Sequence, residues 1–167
     1  MANSKPIGVA YSDPELTSGT VLSAAALSEN NLYAGFVSQV QGATIATTGN
    51  SDAFIIAPYT GVLTAALFSG TDALAASDSN YITFSLTNLG QAGAGSTALL
   101  AATDANTTKS TGGTALSANS RRNLTLSTTA ANLAVTRGDR IRIRAAATGT
   151  LANTVTFPVY ALVFATA

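Results

Sequence analysis

From Tyr81 to Asn88 the chain alternates without a break. Ile82, Phe84 and Leu86 fall on one side, and Thr83, Ser85 and Thr87 on the other. Period two with one apolar and one polar face describes a strand over a core, with its other side in water. Antiparallel sheets are built from such strands. The pattern returns at residues 140–146, where Ile141 and Ile143 alternate with Arg140, Arg142 and Arg144. It returns again at 123–127, with Leu124 and Leu126 inward. Further strands are expected at 33–40, 43–47, 53–57, 61–68 and 154–164, with one short piece at 98–103. Turn signals separate them: Gly49-Asn50, Pro58-Tyr59-Thr60-Gly61, Ser69-Gly70-Thr71-Asp72, Gly138-Asp139 and Gly149. Pro and Gly preset different backbone angles in such turns.

The last run is apolar on both faces near its end, which marks a central strand. Pro158 inside it implies a bulge or a local edge. Helix signals are poor, because alanine is mixed with Thr, Ser and Gly rather than Glu, Lys, Arg and Leu. At most a single turn is expected, at 73–77. Many short strands with regular turns indicate a sandwich or barrel. The expected fold is all-β: a two-sheet antiparallel sandwich, a jelly roll of about eight strands. An immunoglobulin-type Greek key is the second choice, without the cysteine and tryptophan hallmarks of that fold. Residues 90–119 are rich in Gly, Ala, Ser and Thr and read as a long surface loop. A connection longer than about 15 residues has a role or is mobile. Residues 1–31 carry Pro6, Pro14 and Gly19 and no sustained alternation. They read as an N-terminal arm ahead of a β-domain at 32–167, with a short helix or strand at 21–27.

Composition limits the chemistry. The chain has no cysteine and no histidine. Disulfides, thiolate sites and the usual general base near neutral pH are therefore excluded. Charged residues are 10% of the chain and the formal net charge is zero. An ordinary domain carries about 25%. Neutral, charge-poor chains associate rather than repel, so a subunit of an assembly is expected. Bulk attraction to nucleic acid or to an anionic membrane is not indicated. No apolar run approaches the roughly 20 residues of a membrane span. The first residues lack a secretory pattern, so synthesis in the cytoplasm without a signal peptide is expected.

The acids Asp13, Glu15, Glu29, Asp52, Asp72, Asp78, Asp104 and Asp139 are scattered singly. Nothing in their spacing suggests a catalytic pair, so no enzyme, no catalytic residue and no cofactor are expected. The stretch 72–78 lacks an Asp-x-Asp-x-Asp-Gly loop, so no metal site is expected. Arg137-Gly138-Asp139 spells an adhesion tripeptide, but a Gly-Asp turn opening a strand accounts for it. The arginine stripe is the most informative polar feature. Arg140, Arg142 and Arg144 share one strand face at about 6.5–7 Å spacing. It reads either as a solvated face that guards an edge or as an interface whose guanidinium forks meet a partner's carboxylates and carbonyls. Nucleic-acid binding is weakened by the lack of interleaved aromatics. The other interface candidates are Arg121 and Arg122 ahead of a strand, and Lys5, Pro6 and Tyr11 in the arm.

Three stretches carry a resemblance. The opening Met1-Ala2-Asn3-Ser4-Lys5-Pro6-Ile7-Gly8-Val9-Ala10-Tyr11-Ser12 is similar to the start of small phage structural proteins. Phe54-Ile55-Ile56-Ala57-Pro58-Tyr59-Thr60-Gly61-Val62-Leu63 is similar to the strand-turn-strand of phage jelly rolls. The run from Leu133 through Gly138-Asp139 to residues 154–164 completes it. Together they resemble the decoration, or cement, proteins of tailed-bacteriophage capsids, over about half of the chain. The resemblance implies a homotrimer on the outer capsid surface, bound to the major capsid protein of the same virion. It also implies arms that reach onto the shell or a neighbour. A receptor- or glycan-binding β-domain of a tail or head fibre is the alternative. That reading asks for exposed aromatics in 90–119, and there are none.

Overall fold

Where alternation is cleanest, at 81–88 and 140–146, the strand register is unbroken. The computed structural model describes residues 35–166. The arm expected at 1–31, with Lys5, Pro6 and Tyr11, lies outside the described residues. The strands are β1 Gly35–Gln41, β2 Gly49–Ile56, β3 Gly61–Ser69, β4 Tyr81–Asn88, β5 Thr97–Ala98, β6 Arg122–Leu124, β7 Ala134–Val135, β8 Arg140–Thr148 and β9 Val159–Thr166. One sheet runs β1-β9-β3-β6, with β7 also pairing β3, and the other runs β2-β8-β4-β5. Every pairing is antiparallel.

The pairs nest. β4 joins β5, β3 joins β6 and β7, β2 joins β8, and β1 joins β9. One long hairpin folded over on itself gives this order, with its successive layers falling alternately in two sheets. That is the jelly roll rather than the immunoglobulin arrangement. β6 and β7 share one edge of β3, so nine strands occupy eight lanes.

The inward rows form the core. Ile82, Phe84 and Leu86 of β4 and Ile141, Ile143 and Ala145 of β8 face Leu63, Phe68, Tyr160, Leu162 and Phe164 of the other sheet, all buried. The rings of Phe68 and Phe84 meet at 4.7 Å between centroids, and Phe68 meets Tyr160 at 5.4 Å. Each such side chain contributes roughly 1.5–3 kcal/mol by leaving water. β9 lies between β1 and β3, as its apolar run implied.

Several boundaries differ from expectation. Residues 43–47 form no strand. Only Ile45 bridges, to Val155, as the chain crosses between sheets. The strand expected at 53–57 begins at Gly49, because Gly49-Asn50 pairs with Ala147 and Ala146 instead of turning. The last strand starts at Val159, after Phe157 takes a left-handed φ of 46° and Pro158 resets the direction. The bulge of the first sheet sits instead in β3, between Leu63 and Ala65. There the Thr64 hydroxyl donates to the Val163 carbonyl at 3.1 Å. No helical turn forms at 73–77, where Leu74 bridges to Leu116. Single 3-10 turns occur at Asp104–Asn106 and Ala130–Leu133 instead.

Residues 90–119 are built rather than loose. Leu99, Leu100, Asn106, Thr107, Thr108 and Leu116 are buried. The Asn106 side chain acts as a cross-link. It donates to the carbonyls of Ala101 and Thr125 at 2.8 Å each, and accepts from the Thr125 N–H at 2.7 Å. A side-chain amide that satisfies three partners replaces a piece of β-ladder.

Candidate functional site: the outer faces of the two sheets

β8 lies between β2 and β4, so its stripe guards no edge. Its isoleucines are fully buried, and the three arginines therefore emerge on the outer face of the sheet. The antiparallel register sets their neighbours. Asp52, Phe54 and Ile56 of β2 stand opposite Arg144, Arg142 and Arg140. Arg144 takes Asp52 in a two-pronged fork, Nε to Oδ1 at 2.6 Å and Nη2 to Oδ2 at 2.7 Å. That hydrogen bonding holds the Asp52 carboxyl below the usual carboxylate range. The Arg140 guanidinium lies 4.0 Å from the centroid of the Phe54 ring, a cation–π contact. Between them Arg142 has no side-chain hydrogen bond among the described residues, and its Nε is buried and unpartnered. Phe54 and Ile56 are 40% and 57% exposed, which is high for such large apolar groups. Two guanidiniums without a salt-bridged carboxylate among the described residues thus stand beside an exposed aromatic and an exposed isoleucine. Interfaces are enriched in this combination.

Asp52, Phe54 and Ile56 belong to this face although they do not stand out in the sequence. After Asp52 the run Ala53-Phe54-Ile55-Ile56-Ala57 reads as uniformly apolar. Read with period two, Ala53, Ile55 and Ala57 go inward and Asp52, Phe54 and Ile56 outward, and that period is the signal that finds them.

Arg122 has a different role. At the head of β6 it turns inward, with Nη1 donating to the Thr114 carbonyl at 2.8 Å. Its Nη2 donates to the carbonyls of Ala105 at 2.8 Å and Thr107 at 2.6 Å. Its guanidinium also lies 5.3 Å from the Phe84 ring centroid. It is committed inside the chain, whereas Arg121 beside it is exposed.

Each described carboxylate is likewise held. Asp72 accepts from the Thr156 N–H and hydroxyl at 2.7 and 2.6 Å, which keeps its carboxyl below the usual range. Asp78 accepts from the Thr111 N–H at 2.8 Å, and Asp104 pairs with Lys109 at 2.8 Å. Asp139, third of the Arg-Gly-Asp tripeptide, is buried. It accepts from Asn88 Nδ2 at 2.8 Å and the Thr136 N–H at 2.9 Å. Gly138 carries φ of +89°, which only glycine adopts freely, so the tripeptide forms the turn into β8. Among the described residues no three His, Cys, Asp or Glu side chains converge.

The outer face of the opposite sheet contrasts with the arginine face. β1, β3 and β9 contain no Asp, Glu, Lys or Arg. Val37 is 57% and Val159 38% exposed there, beside Gln39 and Gln41. The face of β2 and β8 therefore presents arginines, and that of β1, β9 and β3 a neutral, partly apolar surface.

Neither a family model, nor a curated protein, nor a solved structure matches this chain.

Proposed function

We propose that this chain is a structural virion protein: a capsid decoration, or cement, protein that binds the outside of a phage head as a homotrimer and stabilises it. The observation that carries the reading is the outer face of β2 and β8. Arg140 and Arg142 there lack carboxylate partners and stand beside exposed Phe54 and Ile56. A buried donor without an acceptor costs about 1–3 kcal/mol, and a partner that supplies carboxylates or carbonyls removes that cost. The major capsid protein supplies such groups in this reading, at many equivalent places on the shell. Each docked copy raises the effective concentration of the next contact, so weak single contacts add up to firm attachment.

The uncharged face of β1, β9 and β3 serves contacts between copies. Identical faces without charge meet without like-charge repulsion, and the zero formal charge of the chain favours association. Residues 1–20 add a tether to the shell, with Lys5, Pro6 and Tyr11 as its contact residues and Arg121 as a further surface contact. The protein performs no catalysis, needs no cofactor and binds neither nucleic acid nor membrane. It is made in the host cytoplasm and ends on the outer capsid surface.

The direct test is imaging of heads incubated with the purified protein. Threefold density at repeated positions outside the shell is expected, and bare heads at saturating protein contradict the reading. Light scattering on a sizing column should give three times the chain mass. A strict monomer at every concentration contradicts the trimer. Removal of residues 1–20 should lower occupancy on heads, and unchanged occupancy excludes the tether.

A further inference from the structure

Beside the arginine face the same sheet carries a second feature, a groove of about 600 Å³ between β4 and residues 98–109. That volume falls within the roughly 300–1,000 Å³ of small-molecule sites. We infer that this groove binds a neutral saccharide. The groove adjoins the proposed capsid contact without including its arginines: Ser85 and Thr87 of the groove stand opposite Arg144 and Arg142 in the β4–β8 register, and none of Arg140, Arg142 and Arg144 lines it.

The floor is the outward row of β4. Thr83, Ser85 and Thr87 line it, and none of their hydroxyls has a hydrogen-bond partner among the described residues. Alternate strand positions set these hydroxyls about 6.5–7 Å apart. Each is both donor and acceptor, as the hydroxyls of a sugar are. The wall includes Ala98, Ala101 and Ala102, small apolar groups against which the C–H face of a sugar ring packs. At one end stand Tyr81, Asp104 and Lys109. Lys109 Nζ is 2.8 Å from Asp104 Oδ1 and 5.0 Å from the Tyr81 ring centroid. The second carboxylate oxygen and the remaining ammonium protons can accept from and donate to vicinal hydroxyls. The Lys109–Asp104 pair is neutral as a whole, so that end of the groove gives an anionic ligand no net attraction, and no arginine lines the groove.

The walls are fixed before any ligand arrives. The Leu99 N–H donates to the Leu86 carbonyl at 2.9 Å, and the Thr108 N–H to the Ile82 carbonyl at 2.9 Å. The Asn106 cross-link holds the stretch between them. A preformed site saves the ordering cost of binding. Residues 90–119 contain no aromatic to pack on a sugar ring. Tyr81 supplies one from β4 instead.

The test is a titration of the full chain with a panel of neutral oligosaccharides, followed by amide NMR shifts. About 10 mM sugar exceeds a millimolar dissociation constant tenfold. At least one sugar should give saturable shifts confined to β4 and 98–109. Ser85→Trp, which fills the groove from an outward position, should weaken that binding at least tenfold, and Lys109→Met should weaken it with no bulk added. Each variant's thermal midpoint shows that it has folded. The inference is overturned if no sugar saturates, if neither folded variant changes the response, or if a sulfated sugar binds more tightly than its neutral parent. No heads enter this experiment, so its failure leaves the capsid reading untouched.

Discussion

Arg122 and Arg142 make an instructive pair, because both lie on strands and yet end with opposite commitments. Arg122 turns inward and reaches three backbone carbonyls, of Ala105, Thr107 and Thr114. Arg142 turns outward from the middle of β8 and reaches none. The cause is the neighbouring backbone rather than the residue. Residues 104–115 lie largely outside the ladders, so their carbonyls are free to accept. On either side of β8 the strands β2 and β4 commit their carbonyls to the ladder. An arginine in the middle of a sheet can therefore find only side-chain acceptors, and Asp52 is the one carboxylate on the two strands that flank β8. Arg144 holds it. Arg142 needs an acceptor from elsewhere, and this need gives the outer face its direction.

The comparison makes predictions of decreasing size. Arg122→Met should cost about 3 kcal/mol of stability, because charged hydrogen bonds are worth roughly 1.5–3 kcal/mol each and water recovers part of the loss. Chemical denaturation measures it, and a loss under about 1 kcal/mol breaks the contrast. Arg144→Met should cost at most about 1 kcal/mol, since its fork with Asp52 is partly exposed.

The same fork predicts a pH response. Asp52 has a depressed carboxyl in the fold, so its contribution is complete above the ordinary carboxylate range, near pH 4. That contribution should fade as pH falls through the lower folded value. In Arg144→Met this part of the acid loss should shrink, leaving only the weaker pull of Arg142, and an acid profile identical to the parent's refutes the assignment. Asp72 titrates in the same sense through its Thr156 bonds, and it persists in the variant as an internal reference. Smallest of all, Arg140→Gln with Arg142→Gln should change stability by no more than about 0.5 kcal/mol, because losing the exposed cation–π contact of Arg140 with Phe54 is offset by removing the unpartnered Arg142 Nε.

Much of this fold could be read from the chain. The alternation at 81–88 and 140–146 placed Ile82, Phe84, Leu86, Ile141 and Ile143 in the core, and each is at most 2% exposed. The arginine stripe was legible for the same reason, since one period fixes both faces. What bonds the stripe was not legible. Asp52 is 92 residues from Arg144 in sequence, and only the β2–β8 register brings them together. Order in 90–119 was hidden because no period produces it. Asn106, Leu99 and Leu116 hold that stretch through long-range ties, and a lone Asn among Ala, Ser and Thr looks like loop. Arg122 was ambiguous for a related reason. Its acceptors are main-chain carbonyls, which every residue carries and no side chain announces. The groove beside β4 depends on where residues 98–109 return to the sheet, and their composition does not specify that.

In the proposed reading Arg140 and Arg142 serve a partner rather than the fold. Occupancy on purified heads, measured by co-sedimentation of the parent and the Arg140→Gln, Arg142→Gln double variant at matched concentration, tests it most directly. At least about 30-fold weaker binding is expected, the equivalent of a 2 kcal/mol interface hot spot, with the thermal midpoint nearly unchanged. Equal occupancy of a fully folded double variant would contradict it.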